Sequence, residues 1–250
     1  MNPLSRGRYE VKLARTDAEV AAAQRLRYVA FWAERGRARD DGRDADAFDA
    51  AAQHMLVHNH LTGDLVACCR LQLFDGHTVD HSYAAQFYDL TRLARFPGPM
   101  LELGRFCLDS AHHDPDILRL AWAAIAAIVD QAGVGLLFGC TSFSGADPVC
   151  HAGALASLVP RIGPDAWRPG PRASDRVALT DLPPRGPGEG PPPPLPALLR
   201  TYLAIGGWVS DHAVIDRTLD TMHVLTCVEI AAIPPARARA LRMIASDSMG

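Results

Sequence analysis

One succession of strand, helix and strand limits the topology more than any other feature of the chain. Met100 to Leu108 and Leu136 to Phe143 are apolar runs with strand character. Between them, Asp114-Pro115 supplies an N-cap and a first-turn proline for a helix that runs to Gly133. Strands joined through a helix lie parallel, because the helix returns the chain to the same end of the sheet. The sequence therefore predicts an α/β class with at least one parallel strand pair.

Further strands and helices are predicted on both sides of this succession. Thr16-Asp17-Ala18-Glu19 is a capping box that opens a helix to about Gly36, and Leu61-Thr62-Gly63-Asp64 joins the two strands of a hairpin, 54–59 and 65–73. The other predicted strands are 8–13, 208–215 and 221–230, and the other predicted helices are 83–94, 148–158, 197–204 and 234–245. We expect a mixed sheet flanked by helices.

The domain organisation is expected to be simple. We predict a single domain over residues 1–250 with a proline-rich surface connector at about 164–196. The stretch from Pro183 to Pro196 contains eight prolines, counting both ends, and has no periodicity. Such a stretch favours an extended, polyproline-like conformation.

Composition excludes several classes of protein. With 48% hydrophobic and 21% charged residues, the chain can bury a substantial core. No apolar run approaches the ~20 residues of a membrane span, and Met1 to Arg15 lacks the apolar segment of a secretory signal, so we expect a cytoplasmic protein. The net charge of -3 argues against nucleic acid as a partner. Histidines and cysteines do not occur at metal-site spacings, so no metal is expected.

The chemistry is most visible in the strand that contains Glu102 and Arg105. A carboxylate and a guanidinium in an otherwise apolar strand need partners or a task. Simple alternation would point the two side chains to opposite faces. Gly104 between them permits a bulge that re-aims one side chain and turns backbone N–H groups toward a cleft. A structural ion pair is the alternative interpretation.

An ordered set of motifs runs through the first half of the chain. The set is Arg27 with Phe31, Asp46-Ala47-Phe48-Asp49, Arg70 at the end of a strand pair, and Glu102-Leu103-Gly104-Arg105-Phe106. This set resembles the acyl-homoserine-lactone synthase branch of the GNAT acyltransferase fold. Two later segments, Leu137 to Phe143 and Leu195 to Asp216, are similar to a sister family, the ornithine Nα-acyltransferases that make lyso-ornithine lipid from 3-hydroxyacyl-acyl carrier protein. The resemblance extends from about Tyr9 to Ile233 without the proline-rich connector. It implies a GNAT-like three-layer fold with a splayed central sheet.

One departure from the fold family concerns the acyl donor. Acetyl-CoA-dependent members bind pyrophosphate in a basic, glycine-rich loop before the central helix, whereas this chain has Ser110-Ala111-His112-His113-Asp114-Pro115-Asp116. Two aspartates there complement the positive helix end and would repel a phosphate. We therefore expect the thioester of acyl carrier protein, rather than coenzyme A, as acyl donor, with no bound cofactor.

The resemblance implies direct transfer of the acyl group to the α-amino group of ornithine. Glu102 is the candidate general base, since a carboxyl group in an apolar strand can have the raised pKa that a base needs near neutral pH. Gly104 and Arg105 complete the predicted catalytic group, because backbone N–H groups at a bulge would face the developing oxyanion.

Eight further residues are predicted to bind substrate. Arg27 and Arg70 are candidates for the ornithine carboxylate or for bracing the acidic loop. Asp46 and Asp49 would bind the side-chain ammonium or instead tether the arginines. The remaining members of the set are Phe31, Phe106, Ser142 and Phe143. Ordinary core packing explains Phe106 and Phe143 equally well.

Two other functions stay open from the sequence. An acyl-homoserine-lactone synthase would use S-adenosylmethionine as acceptor, and a non-catalytic acyl-carrier-binding module would bind the thioester without turnover. Because an acylated amino acid partitions into lipid, we also expect transient contact with the inner-membrane surface, through Leu195 to Ile205.

Overall fold

The predicted class is confirmed, since the fold is α/β with mixed β-sheet flanked by helices. The computed structural model describes residues 3–182 and 195–247. Its strands are β1 Leu4–Arg6, β2 Tyr9–Leu13, β3 Gln53–Asn59, β4 Leu65–Phe74, β5 Tyr88–Asp89, β6 Met100–Leu108, β7 Leu136–Ser144, β8 Gly170–Pro171, β9 Arg176–Ala178, β10 Trp208–Val209, β11 His212–Asp216 and β12 Thr221–Glu229. Its α-helices are α1 Asp17–Phe31, α2 Pro115–Ala132, α3 Pro148–Ala156, α4 Ala197–Ala204 and α5 Pro235–Asp247.

The chain forms two compact units. The first, unit 1, comprises the described residues of Met1–Leu73, Leu101–Val134 and Pro234–Gly250. The second, unit 2, comprises the described residues of Phe74–Met100 and Gly135–Ile233.

Unit 1 is built on the strand order β1-β2-β3-β4-β6, of which the first three neighbouring pairs are antiparallel. Helix α1 buries Ala23 against Leu56, Cys68 and Cys107 of the strands. Helix α2 packs on β1, β2 and α5. Its apolar stripe is broad, which explains how one helix can contact both a sheet and a second helix.

Unit 2 has the order β7-β12-β11-β9, antiparallel throughout, with β10 also on β12 and β5 paired with β8. Alternation along the strands buries both faces of this sheet. One face packs Phe138, Val214 and Leu225 beneath residues 74–100. The other packs Phe143 and Val224 with residues of α3 and α4.

The predicted helix starts are confirmed. Thr16 and Glu19 form both hydrogen bonds of the capping box at α1. Asp114 accepts the backbone N–H of Asp116 and precedes the first-turn proline of α2, which ends at a left-handed Gly133. These caps depend on residues that are neighbours along the chain, so the sequence predicts them correctly.

Three predicted elements differ from those in the structure. The predicted helix 83–94 consists of two 3-10 turns around β5, because Tyr88 is fully buried and its hydroxyl binds His223. Helix α1 ends at Phe31 and not near Gly36, since Trp32 leaves helical geometry and its indole N–H binds Asp44. The predicted strand 208–215 is interrupted at Ser210, whose hydroxyl accepts the backbone N–H of Leu225.

The predicted connector falls partly outside the structure. Residues 183–194 lie outside the described part of the chain. Residues 164–182 contain β8, β9 and a 3-10 turn at Leu179–Asp181, so this part of the predicted connector has regular structure.

The segment predicted to touch a membrane folds as α4. Its Leu199 and Tyr202 are buried, and Leu199 belongs to the apolar core of unit 2. Within residues 3–182 and 195–247, no helix combines the length and apolar character that crossing a bilayer requires.

Substitution of Gly163 by alanine would test how tightly unit 2 is packed. A Cβ at this position would lie 2.1 Å from Cε3 of the buried Trp208 ring. We expect Gly163→Ala to lower the free energy of unfolding by about 1 to 3 kcal/mol through overpacking, measured by urea denaturation. As a control, a Cβ at Gly104 meets nothing nearer than Arg70 Nε at 4.0 Å, so Gly104→Ala should leave stability almost unchanged. Equal stability of the two variants would contradict the packing.

Candidate active site

Unit 1 contains a buried network of three arginines and three aspartates. The arginines are Arg27 of α1, Arg70 of β4 and Arg105 of β6, and the aspartates are Asp44, Asp46 and Asp49 of the loop between α1 and β3. The structure therefore brings together five predicted site residues from four segments of the chain. Asp44 is the member that the sequence did not predict.

Arg27 braces the acidic loop from α1. Its Nε lies 2.9 Å from Asp44 Oδ2 and its Nη1 lies 2.7 Å from Asp49 Oδ1. Its Nη2 also donates to the carbonyl of Asp44 and to Asp49 Oδ2. The side chain is 1% exposed, and all three guanidinium nitrogens are occupied. Of the two predicted roles, bracing the loop is the one that these contacts describe.

Arg70 and Arg105 bind the same loop from the strands. Arg70 Nη1 lies 3.1 Å from Asp49 Oδ1 and donates to Asp46 Oδ1. Arg105 Nε lies 3.0 Å from Asp44 Oδ2 and its Nη2 lies 3.5 Å from Asp46 Oδ2. The loop aspartates thus tether the arginines, which is one of the two roles predicted for Asp46 and Asp49.

Asp44 lies at the centre of the network. Its side chain is 1% exposed, and its carboxylate accepts from Arg27, Arg105 and the Trp32 indole. Burial alone would raise the pKa of Asp44, but the charges of Arg105 and Arg27 hold it below its usual value. A charge count could have found this residue, because three buried arginines need more than the two predicted aspartates.

Two further polar residues of the network were also missed. Gln24 Nε2 donates to Asp49 Oδ2 at 2.9 Å, and His54 Nε2 lies 3.1 Å from the carbonyl oxygen of Asp49. Burial lowers the pKa of His54 below its usual value, and the nearby Arg27 and Arg70 add to that effect. Nothing in the sequence around Gln24 or His54 distinguishes them from ordinary helix and strand residues.

The distortion of β6 falls on Arg105 and not on Gly104. Arg105 has a φ of 51°, in the left-handed region, whereas Gly104 is not among the glycines with positive φ. A residue with a Cβ pays roughly 1 to 2 kcal/mol for this conformation. The ion pairs with Asp44 and Asp46 hold the Arg105 side chain in place, and its guanidinium carbon lies 5.9 Å from the centre of the Phe31 ring. The network therefore stabilises the kink in the strand.

Glu102 lies on β6 three residues before the kink. It is 6% exposed and belongs to the buried run Met100–Leu103. The carboxyl group is thus shielded from bulk solvent and lies on the same strand as the left-handed Arg105.

The other four predicted substrate residues are divided between the two units. Phe31 and Phe106 are half-buried in unit 1, where the Phe31 ring lies near the guanidinium group of Arg105. In unit 2, Ser142 is exposed, whereas Phe143 is buried in the apolar cluster that includes Leu155 of α3. Adjacent residues of β7 point to opposite faces, so Ser142 and Phe143 cannot line the same side of the sheet.

The loop before α2 holds its aspartates in ion pairs. Asp114 lies 3.3 Å from Arg8, and Asp116 lies 3.1 Å from Arg6 and 2.9 Å from Arg119. Asp114 also caps the helix, as predicted. The arginines nearest this helix end are therefore already engaged by carboxylates.

Comparison with known proteins identifies the family of the chain. Residues 26–123 match the family described as acetyltransferase (GNAT) domain. The L-ornithine N(alpha)-acyltransferase of Rhodobacter capsulatus is 32% identical over 246 residues, covering 92% of each chain. FeeM, an N-acyl amino acid synthase from uncultured soil microbes, superposes with a TM-score of 0.50 at 12% identity, over 98% of this chain and 99% of FeeM. BjaI, a CoA-dependent acyl-homoserine lactone synthase, superposes with a TM-score of 0.50 at 13% identity, over 92% of this chain and 83% of BjaI. At these identities the two structures are evidence of fold alone.

The α/β fold, the matched domain and the named relatives together define an acyltransferase of the GNAT class. Within that class, the chain belongs to the L-ornithine N(alpha)-acyltransferase family. The resemblance found in the sequence is thereby confirmed.

Asp44 provides a test of the network. We expect Asp44→Asn to lower the free energy of unfolding at pH 7 by about 3 kcal/mol, because buried guanidinium groups lose a charge partner. Asp41→Asn is the matched control, since Asp41 lies on the same loop, is mostly exposed and is 3.8 Å from its partner Arg39. It should change stability by less than about 0.5 kcal/mol.

The effect of Asp44 should also depend on pH. Its pKa is lowered in the folded protein, so its contribution is present above the unfolded-state value of about 3.9 and is lost as the pH falls further. The difference between the unaltered protein and Asp44→Asn should therefore shrink below about pH 4. Urea titrations at pH 7, 5 and 3 measure it. A difference that stays constant would contradict the assignment.

Proposed function

We propose that this acyltransferase moves a 3-hydroxyacyl chain from acyl carrier protein to the α-amino group of ornithine, forming lyso-ornithine lipid. The observation that carries the proposal is Glu102, a shielded carboxyl group on a strand whose kink is fixed by the network. The name of the Rhodobacter relative supports ornithine as acceptor.

The reaction needs a base, a positioned carbonyl and no covalent acyl-enzyme. Glu102 accepts a proton from the ammonium group of ornithine, and the free amine then attacks the thioester carbonyl. The attack forms the C–N bond and a tetrahedral oxyanion. When the oxyanion collapses to the amide, the C–S bond breaks, and the thiolate of the carrier arm takes up the amine's remaining excess proton. Backbone N–H groups at the kink near Arg105 stabilise the oxyanion. Holding amine and carbonyl in contact supplies much of the remaining acceleration.

The proposed donor follows from the loop before α2. Asp114 and Asp116 weaken the anion-binding character of that helix end, because Asp114 accepts the N–H of Asp116 and the two carboxylates pair with the nearby Arg6, Arg8 and Arg119. Acyl carrier protein presents a single phosphate on its pantetheine arm. It therefore needs fewer phosphate contacts from this loop than coenzyme A does.

We propose a cytoplasmic enzyme that makes transient contact with the inner membrane. The cytoplasmic location follows from the proposed donor, because acyl carrier protein is a cytoplasmic protein. The membrane contact follows from the proposed product, which carries a fatty acyl chain that partitions into lipid.

An acyl-homoserine-lactone synthase is the second candidate, favoured by the fold that the chain shares with BjaI. Purified protein is given 3-hydroxyacyl thioesters of acyl carrier protein or coenzyme A, each with ornithine or S-adenosylmethionine, and the products are identified by mass. We expect Nα-acyl-ornithine from the carrier-protein thioester. Acyl-homoserine lactone as the main product would overturn the acceptor, and faster turnover of the coenzyme A thioester would overturn the donor.

Glu102→Gln tests the base. The amide keeps the shape of the side chain but cannot accept the proton, so kcat should fall ~100-fold, with a thermal unfolding midpoint close to that of the unaltered protein. Glu34→Gln, at an exposed position in the turn after α1, is the control and should retain full activity. If Glu102→Gln keeps activity within about threefold, another group is the base.

A further inference from the structure

Membrane contact needs a different surface from the one that the sequence predicts. The sequence predicts contact through Leu195 to Ile205, but α4 within that segment buries Leu199 and Tyr202. The chain also has a net charge of -3, so an anionic bilayer repels the protein as a whole. Contact with such a bilayer therefore requires a local surface that is basic and partly apolar.

Helix α5 carries positive charge without acidic neighbours along the chain. The residues from Pro235 to Arg242 include Arg237, Arg239 and Arg242 but no Asp or Glu. Nε and Nη2 of Arg242 each lie 2.8 Å from a carboxylate oxygen of Asp130, which holds this side of α5 against α2. Arg237 and Arg239 are exposed, and within the described part of the chain neither pairs with a carboxylate. The helix therefore presents two positive charges to solvent.

A row of exposed apolar residues runs between these two arginines. Ala236, Ala240 and Met243 follow the i, i+4, i+7 spacing of one side of a helix. All three are exposed, and Met243 is 61% exposed. With 3.6 residues per turn, Arg237 and Arg239 lie on the two flanks of this row. The row and its two arginines form the outer face of α5.

A bilayer surface matches both parts of the outer face. Lipid phosphates can pair with arginines on both flanks while the apolar row meets the boundary of the acyl chains, and basic amphipathic helices are typical of membrane surfaces. An acidic protein partner would match the arginines alone. Another exposed pair, Arg92 and Arg95, lies on either side of the buried Leu93, so no exposed apolar row separates those two arginines.

We propose that the outer face of α5 binds an anionic lipid surface. The choice of a membrane rests on the proposed function, whose product partitions into lipid, whereas the demand for anionic lipid rests on Arg237 and Arg239. Two arginines and one short apolar row give weak, reversible binding. The contact holds the enzyme at the surface into which its product passes.

Vesicle sedimentation tests this surface without substrates or turnover. The full chain is mixed with vesicles of phosphatidylcholine alone or of phosphatidylcholine and phosphatidylglycerol in equal parts, at low and at high salt. We expect tighter binding to the anionic vesicles and a loss of that preference at high salt. The double variant Arg237→Gln with Arg239→Gln should bind the anionic vesicles about thirtyfold more weakly, because each arginine near such a surface contributes about fivefold.

The matched control is the double variant Arg92→Gln with Arg95→Gln. It makes the same change in net charge at exposed positions of unit 2, so its affinity for the anionic vesicles should stay within about threefold of that of the unaltered protein. All variants alter exposed residues and should keep the thermal unfolding midpoint of the unaltered protein nearly unchanged.

A second variant, Met243→Gln, tests the apolar row. It should weaken binding to both kinds of vesicle by about threefold or more, since a polar side chain gains less on entering the acyl boundary. Equal sedimentation of the unaltered protein with both vesicles, or full binding by either α5 variant, would overturn the proposal. If the arginine variant binds vesicles fully but has a raised KM for the carrier-protein thioester, α5 is a protein-docking surface and the proposal is likewise overturned.

The outcome is separable from that of the proposed function. If anionic vesicles are bound through α5 but ornithine is not acylated, the proposed reaction fails and the lipid surface stands. If ornithine is acylated from the carrier-protein thioester and the vesicles are not bound, the lipid surface fails and the proposed reaction stands.

Discussion

The burial of three guanidinium groups in unit 1 is the constraint on which the rest of the site depends. Arg27, Arg70 and Arg105 come from a helix and two strands, and each needs a carboxylate once water is removed. The loop between α1 and β3 supplies three carboxylates, each of which pairs with two of the arginines. The loop and the strands fix one another.

This arrangement connects stability to chemistry through Arg105. Its left-handed backbone is unfavourable for a residue with a Cβ, and its side chain is held by Asp44 and Asp46. The interaction energy of the network is therefore partly used to maintain a kinked strand beside Glu102. Local strain supported by surrounding contacts is common at catalytic sites.

Much of the fold and part of the site could be predicted, and particular residues show why. The capping box at Thr16 and the Asp114-Pro115 helix start depend on neighbours along the chain, so they were correct. The local pattern of residues 83–94 predicts a helix, whereas the burial of Tyr88 against His223 requires an extended segment. The sequence around Asp44 is that of a solvated acidic loop, and its contacts with Arg27, Arg105 and Trp32 are what distinguish it.

The sequence by itself determined the class of the protein. The succession from Met100 to Phe143 and the ordered motifs from Arg27 to Phe106 were sufficient for the α/β acyltransferase family, because they depend on residue type and spacing. Only the tertiary structure decided which carboxylate meets which arginine and that the left-handed residue is Arg105. Those facts depend on side chains from distant segments meeting where water is excluded, and sequence spacing does not encode such distances.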